Sequence, residues 1–201
     1  MSTTPSTTPV TVYAESTPNP ASMKFVVNGM ILPEGYLEYF SPEAAADCPL
    51  AAQLFGFSGI RSVFLSANFI TITKTQDLEW DDMVHILREF IRSFIQSGEK
   101  IFSVHPAKEL MANEEYMKDV SAGNEETVQK IREVMDEYIR PAVEGDGGAI
   151  DLKSYVNGIV TVSLRGSCSG CPSSTLTLKA GIENLLKQMV PGVQEVIAES
   201  L

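Results

Sequence analysis

Two cysteines separated by two residues, Cys168 and Cys171, lie in the stretch Gly166-Ser167-Cys168-Ser169-Gly170-Cys171-Pro172. That spacing lets both sulfurs face one metal centre, and Gly170 lets the backbone fold closely round it while offering amide groups to the sulfurs. Pro172 stands where the first residue of a helix would be. The unpaired amides and positive dipole end of such a helix point at Cys171 and favour its thiolate, the form that binds metal. Soft thiolates select iron–sulfur clusters, zinc or copper(I), and clusters and structural zinc sites usually take four protein ligands.

The chain offers only two such ligands side by side. The third cysteine, Cys48, precedes Pro49 and falls at a helical spacing that turns it toward apolar neighbours, which reads as a small buried hydrophobe. His85 lies off the apolar stripe of its helix and His105 precedes a proline, so both read as surface or edge residues. The missing ligands then come from outside, most simply from the same pair in a second chain related by two-fold symmetry. Taken alone, one Cys-x-x-Cys leaves three readings open: a metal or cluster site, a redox dithiol, and structural accident. A thiol-disulfide oxidoreductase would use Cys168 as nucleophile, and a zinc-stapled dimer would use both sulfurs. A thioredoxin-like fold needs further strands and a proline loop, and about 30 residues after Cys171 are too few for them.

The elements around the pair follow from periodicity. Asn124 caps a helix whose Val128, Ile131, Val134, Met135, Tyr138 and Ile139 share one face, and Pro141 stops or kinks it. Gly145-Asp146-Gly147-Gly148 predicts a tight turn, since three of four positions are glycine. Strands over 149–156 and 159–164 meet at Asn157-Gly158, a strong hairpin signal. A last helix carries Leu176, Leu178, Ile182, Leu185, Leu186 and Met189 and ends at Pro191-Gly192, before a strand over 193–198. The second half is thus α-β-β-α-β.

Earlier in the chain, alternation over 11–13 and 23–27 predicts two strands that pair. Residues 42–55 predict a short helix closed by Gly56. A hairpin over 60–65 and 69–73 follows, then a helix whose stripe is Trp80, Met83, Val84, Leu87, Phe90, Ile91, Phe94 and Ile95. The expected organisation is a disordered tail over 1–10, a domain over 11–105, a polar linker over 106–122 and a domain over 123–201. The fold class is α+β in both domains.

Bulk composition narrows function further. The chain has 201 residues, 44% of them hydrophobic and 20% charged, as a globular protein does. Its formal charge is −11 and both halves are acidic, which excludes nucleic acid as a partner. No apolar run reaches the roughly 18 residues that cross a membrane. An odd count of three cysteines suits a reducing compartment, and MSTTPSTTPV lacks the features of a secretory signal and the arginines of a mitochondrial presequence, so the chain reads as cytoplasmic.

Residues from Val128 to Val196 resemble the C-terminal domain of the NifU family, through Ile139-Arg140-Pro141, Asp146-Gly147-Gly148, Gly166-Ser167-Cys168-Ser169-Gly170-Cys171-Pro172-Ser173-Ser174 and Pro191-Gly192-Val193. Residues from about Val12 to Thr73 resemble the N-terminal domain of the Nfu scaffold subgroup, through Thr17-Pro18-Asn19-Pro20, Met23-Lys24-Phe25, Pro49-Leu50-Ala51 and Phe69-Ile70-Thr71-Ile72-Thr73-Lys74. The resemblance implies a carrier, not an enzyme. It would receive a 4Fe-4S cluster from the assembly machinery, hold it between two protomers of a homodimer through Cys168 and Cys171, and pass it to apo iron–sulfur client proteins. A 2Fe-2S form stays open. The family often has an acidic residue straight after Asp-Gly-Gly, where this chain has Ala149, so the turn receives no ligand role. The residue before Pro-Leu-Ala is not usually cysteine in the family, which argues against a cluster role for Cys48. Arg165 has two readings, as a counter-charge to the cluster or as a solvated residue at a strand end. The first domain shows no ligand cluster and is expected to contact clients or assembly partners.

Overall fold

The computed structural model describes residues 9–103, 125–169 and 172–200. The chain divides into two units, Met1–Lys108 and Glu109–Leu201, and each is α+β. The expected linker over 106–122 lies outside the described residues, as does His105.

The first unit is built on five antiparallel strands: β1 (Val12–Ser16), β2 (Ser22–Val27), β3 (Leu32–Tyr39), β4 (Ile60–Ala67) and β5 (Phe69–Lys74), in the order β1-β2-β5-β4-β3. The two expected pairings are present. The β4–β5 turn falls at Ala67-Asn68, with Ala67 at φ 42° and Ser66 opposite Phe69. Strand β3 was not expected from the sequence. Pro33 and Gly35 interrupt its pattern, and its register with β4 shifts between Leu32 and Tyr36, which an edge strand tolerates. Helix α1 (Pro49–Leu54) is shorter than the span 42–55 because Pro49 cannot sit inside a helix and instead opens one, leaving 42–47 as turns. Helix α2 (Trp80–Gln96) packs on β1 and β2 through the expected stripe, with Leu87, Ile91 and Phe94 buried and Gly98 at φ 77° just past its end. Each such side chain withdrawn from water stabilises the unit by about 1.5–3 kcal/mol.

The second unit has the expected α-β-β-α-β order. Helix α3 (Glu125–Val134) runs through one π-turn, Met135–Ile139, into α4 (Arg140–Gly145). Pro141 causes this. It has no N–H to give, and the Arg140 amide reaches back to Met135 O, five residues away, so the helix is widened by one residue and continues. The extra residue shifts the register. Ile139 and Val143 stay in the core, while Tyr138, expected on the same face, is 46% exposed.

Strands β6 (Gly148–Val156) and β7 (Ile159–Gly166) form the expected hairpin across Asn157-Gly158, at φ 50° and 84°. Helix α5 (Pro172–Met189) then crosses back, and β8 (Glu195–Ser200) lies parallel to β7 in the sheet order β6-β7-β8. Val196 is fixed to α5, its amide donating to Glu183 Oε2 at 3.0 Å. Val128, Ile131, Met135 and Val143 from the helices share one buried cluster with Ile150, Val162 and Leu164 of the sheet and Ile182 and Leu186 of α5. Leu176, expected in the α5 stripe, is instead 68% exposed. No helix among the described residues is long and apolar enough to cross a membrane.

Candidate functional site

The cysteine loop lies where β7 ends and α5 begins. At that end of the hairpin Gly148 pairs with Gly166 and Ala149 with Arg165, so the start of β6 and the loop are neighbours. Gly166, at φ 65°, turns the chain out of the strand. The turn is closed by the Ser169 amide and the Ser169 hydroxyl, which both donate to Gly166 O, at 3.1 and 2.9 Å.

Cys168 follows that bend and is 6% exposed, in the same buried cluster as Val143 and Leu164. Its neighbour Ser167 is 2% exposed, and its Oγ donates to Asp146 O at 2.6 Å while its amide donates to Gly147 O at 3.2 Å. Ser167 Oγ is also 3.8 Å from Cys168 Sγ. The Asp146-Gly147-Gly148 turn therefore backs the loop directly. A Cβ added at Gly148 would stand 2.8 Å from Cys168 Sγ and 2.6 Å from Arg165 O, so only glycine leaves room for the sulfur. The tight turn expected there is present, with Gly147 at φ 84°, but its part in seating Cys168 was not read from the sequence. The run of three glycines in four positions was the available signal.

Cys171 and Gly170 lie outside the described residues, and α5 begins at Pro172, as expected. Among the described residues no group of three or more His, Cys, Asp or Glu side chains could hold a metal ion. Cys48 is fully buried in the first unit, and burial pushes its thiol up to about 11, partly opposed by hydrogen bonding to the Ala51 amide. It behaves as the small buried hydrophobe that its spacing indicated. His85 is exposed on α2, its Nδ1 3.0 Å from the Arg88 guanidinium, as a surface residue. Arg165 fits neither of its two readings well. Strand alternation puts Leu164 and Val162 in the core and hence Arg165 on the opposite sheet face from Cys168, yet its Nε is buried without a hydrogen-bond partner among the described residues.

The second unit thus presents a thiol at a strand-to-helix turn on a three-stranded α+β scaffold. Two family models match the chain, "Scaffold protein Nfu/NifU N terminal" over residues 12–98 and "NifU-like domain" over residues 131–197. The NFU1 iron-sulfur cluster scaffold homolog, mitochondrial, of Drosophila willistoni is 41% identical over 186 residues, covering 92% of this chain and 62% of that protein. The human protein of the same name is 37% identical, covering 92% of this chain and 70% of its own. NifU-like protein 4, mitochondrial, of Arabidopsis thaliana is 35% identical over 192 residues, covering 94% of this chain and 65% of that protein. The chain belongs to the Nfu/NifU-like scaffold protein family. It spans less than two thirds of the length of the fly and plant relatives.

These relatives correct the expectation of a cytoplasmic location, since the fly, human and plant proteins are all named mitochondrial. The inference failed because reduced cysteines and an acidic, soluble-type composition suit any reducing compartment equally well.

Proposed function

We propose that the chain is an iron–sulfur cluster scaffold and carrier, not an enzyme, and that it holds a 4Fe-4S cluster between two copies through Cys168 and Cys171. The cluster is its cargo. The observation that carries this reading is the seat of Cys168: a thiol at the carboxyl end of β7, gripped by the Asp146–Gly148 turn, three residues before Cys171 in the sequence and shortly before a long helix that opens at Pro172. The names of the relatives support the scaffold role. A chain with two neighbouring sulfurs fills half of a four-ligand site, and a second copy supplies the rest.

Release to an apo-protein proceeds by ligand exchange. A client thiol gives up its proton to solvent and bonds an iron as Cys168 or Cys171 leaves it, with no change in oxidation state. Sharing the cargo between two chains keeps the grip loose, because retention then depends on protomer concentration.

Anaerobic reconstitution with iron and sulfide tests the proposal. The full chain is expected to take up about four iron and four sulfide per dimer and turn brown. Cys168→Ala and Cys171→Ala should each abolish the visible band, and Cys48→Ala should keep it. A colourless protein with stoichiometric zinc, or reductase activity toward insulin in a chain that takes up no iron, would move the assignment to a zinc-stapled dimer or a dithiol oxidoreductase.

A further inference from the structure

One side chain ties the cysteine loop to a separate segment. Ser167 is nearly fully buried, and its Oγ and amide both bond the Asp146-Gly147 backbone. A hydroxyl carries a single hydrogen. The 2.6 Å contact to Asp146 O takes it, so at 3.8 Å the Ser167 oxygen stands as acceptor for the Cys168 thiol. The sulfur itself fills the space above Gly148 that any larger residue would occupy. At 6% exposure Cys168 is packed with the core. A sulfur shared between two chains must instead reach the surface of its own.

We infer that Ser167 is a positioning residue: it keeps the Cys168 thiol stowed over Gly148 in the cluster-free chain, and loading requires the turn 166–169 to swing the sulfur outward. The stowed thiol is shielded from alkylation and oxidation until then. The consequence for loading rests on the carrier reading above, whereas the stowing is a property of the cluster-free protein.

The test uses the full-length reduced chain without iron. Iodoacetamide labelling of Cys168, resolved from Cys171 by fragment mass spectrometry, is compared with labelling of the same chain in urea. Cys168 of the native chain is expected to react at least about tenfold more slowly than the unfolded one, as local opening governs access to buried groups. Ser167→Ala removes both the hydroxyl's bond to Asp146 O and its contact with the thiol, and should raise the native rate by about two- to tenfold for each neutral hydrogen bond lost. Ser167→Thr, which keeps the hydroxyl, should stay closer to the parent. Amide exchange over β6 and β7 verifies that the alanine variant is folded. A native Cys168 that labels at the unfolded rate overturns the inference whatever the variants do, as does an unchanged rate in a folded Ser167→Ala chain. If the chain binds no cluster yet Cys168 is protected in this way, the carrier reading fails and the stowing stands.

Discussion

Cys48 and Cys168 are both buried thiols, and what surrounds them separates their roles. Cys48 is fully buried, and burial, with a smaller push from the Asp47 carboxylate, raises its thiol from the ordinary value of 9.0 to about 11 against the hydrogen bonds of the Ala51 and Leu50 amides and the Tyr39 hydroxyl. A thiol held protonated at neutral pH is a poor metal ligand and a poor nucleophile. The shift has a consequence for stability. Because the folded chain keeps this proton more tightly than the unfolded one, stability is intact below pH 9.0 and is lost between 9.0 and about 11, by on the order of 3 kcal/mol. Thermal melts of the parent chain and Cys48→Ala across that window check it: the alanine variant is expected to lose less stability with rising pH, and parallel pH profiles would contradict the assignment. Cys168, by contrast, sits beside a serine oxygen and the backbone of a glycine turn, in a loop whose next helix opens at Pro172.

At the scale of elements, the β6–β7 hairpin does the positioning. Asn157-Gly158 fixes the pairing at one end, and a register shift between Leu152 and Ser154 brings Gly148 opposite Gly166 at the other. The close approach there makes a specific demand. Gly148→Ala must push its methyl against Arg165 O as well as against the sulfur, so it is expected to cost about 1–3 kcal/mol, read as a lowered melting temperature of the second unit. A melt unchanged from the parent would show that the loop has slack at this point. Much of this architecture was legible in the sequence: the hairpin turns, the α2 stripe, the glycine turn and the strand-to-helix placement of Cys168 all follow from local periodicity and turn chemistry. What was not legible depended on non-local pairing or on backbone repair. Strand β3 is held by β4 despite Pro33 and Gly35, α1 shrinks to the residues after Pro49, and the π-turn before Pro141 moves Tyr138 out of the core. The seat of Cys168 over Gly148 belongs to the same group, because the register shift inside β6 cannot be counted from residue types.

Over the whole molecule, an acidic chain of two α+β units carries three cysteines, of which two stand three positions apart in the sequence. Family membership agrees with the motifs read from the sequence, while location was misread because compartment leaves little trace in composition. The central claim is that the cargo is gripped between two copies, which native mass spectrometry of the anaerobically loaded full-length chain tests most directly. Two chains carrying one 4Fe-4S cluster is the mass expected, collapsing to iron-free single chains when Cys168 and Cys171 are both replaced by serine. A cluster found on a single chain, or iron still held by the double-serine variant, would contradict the account.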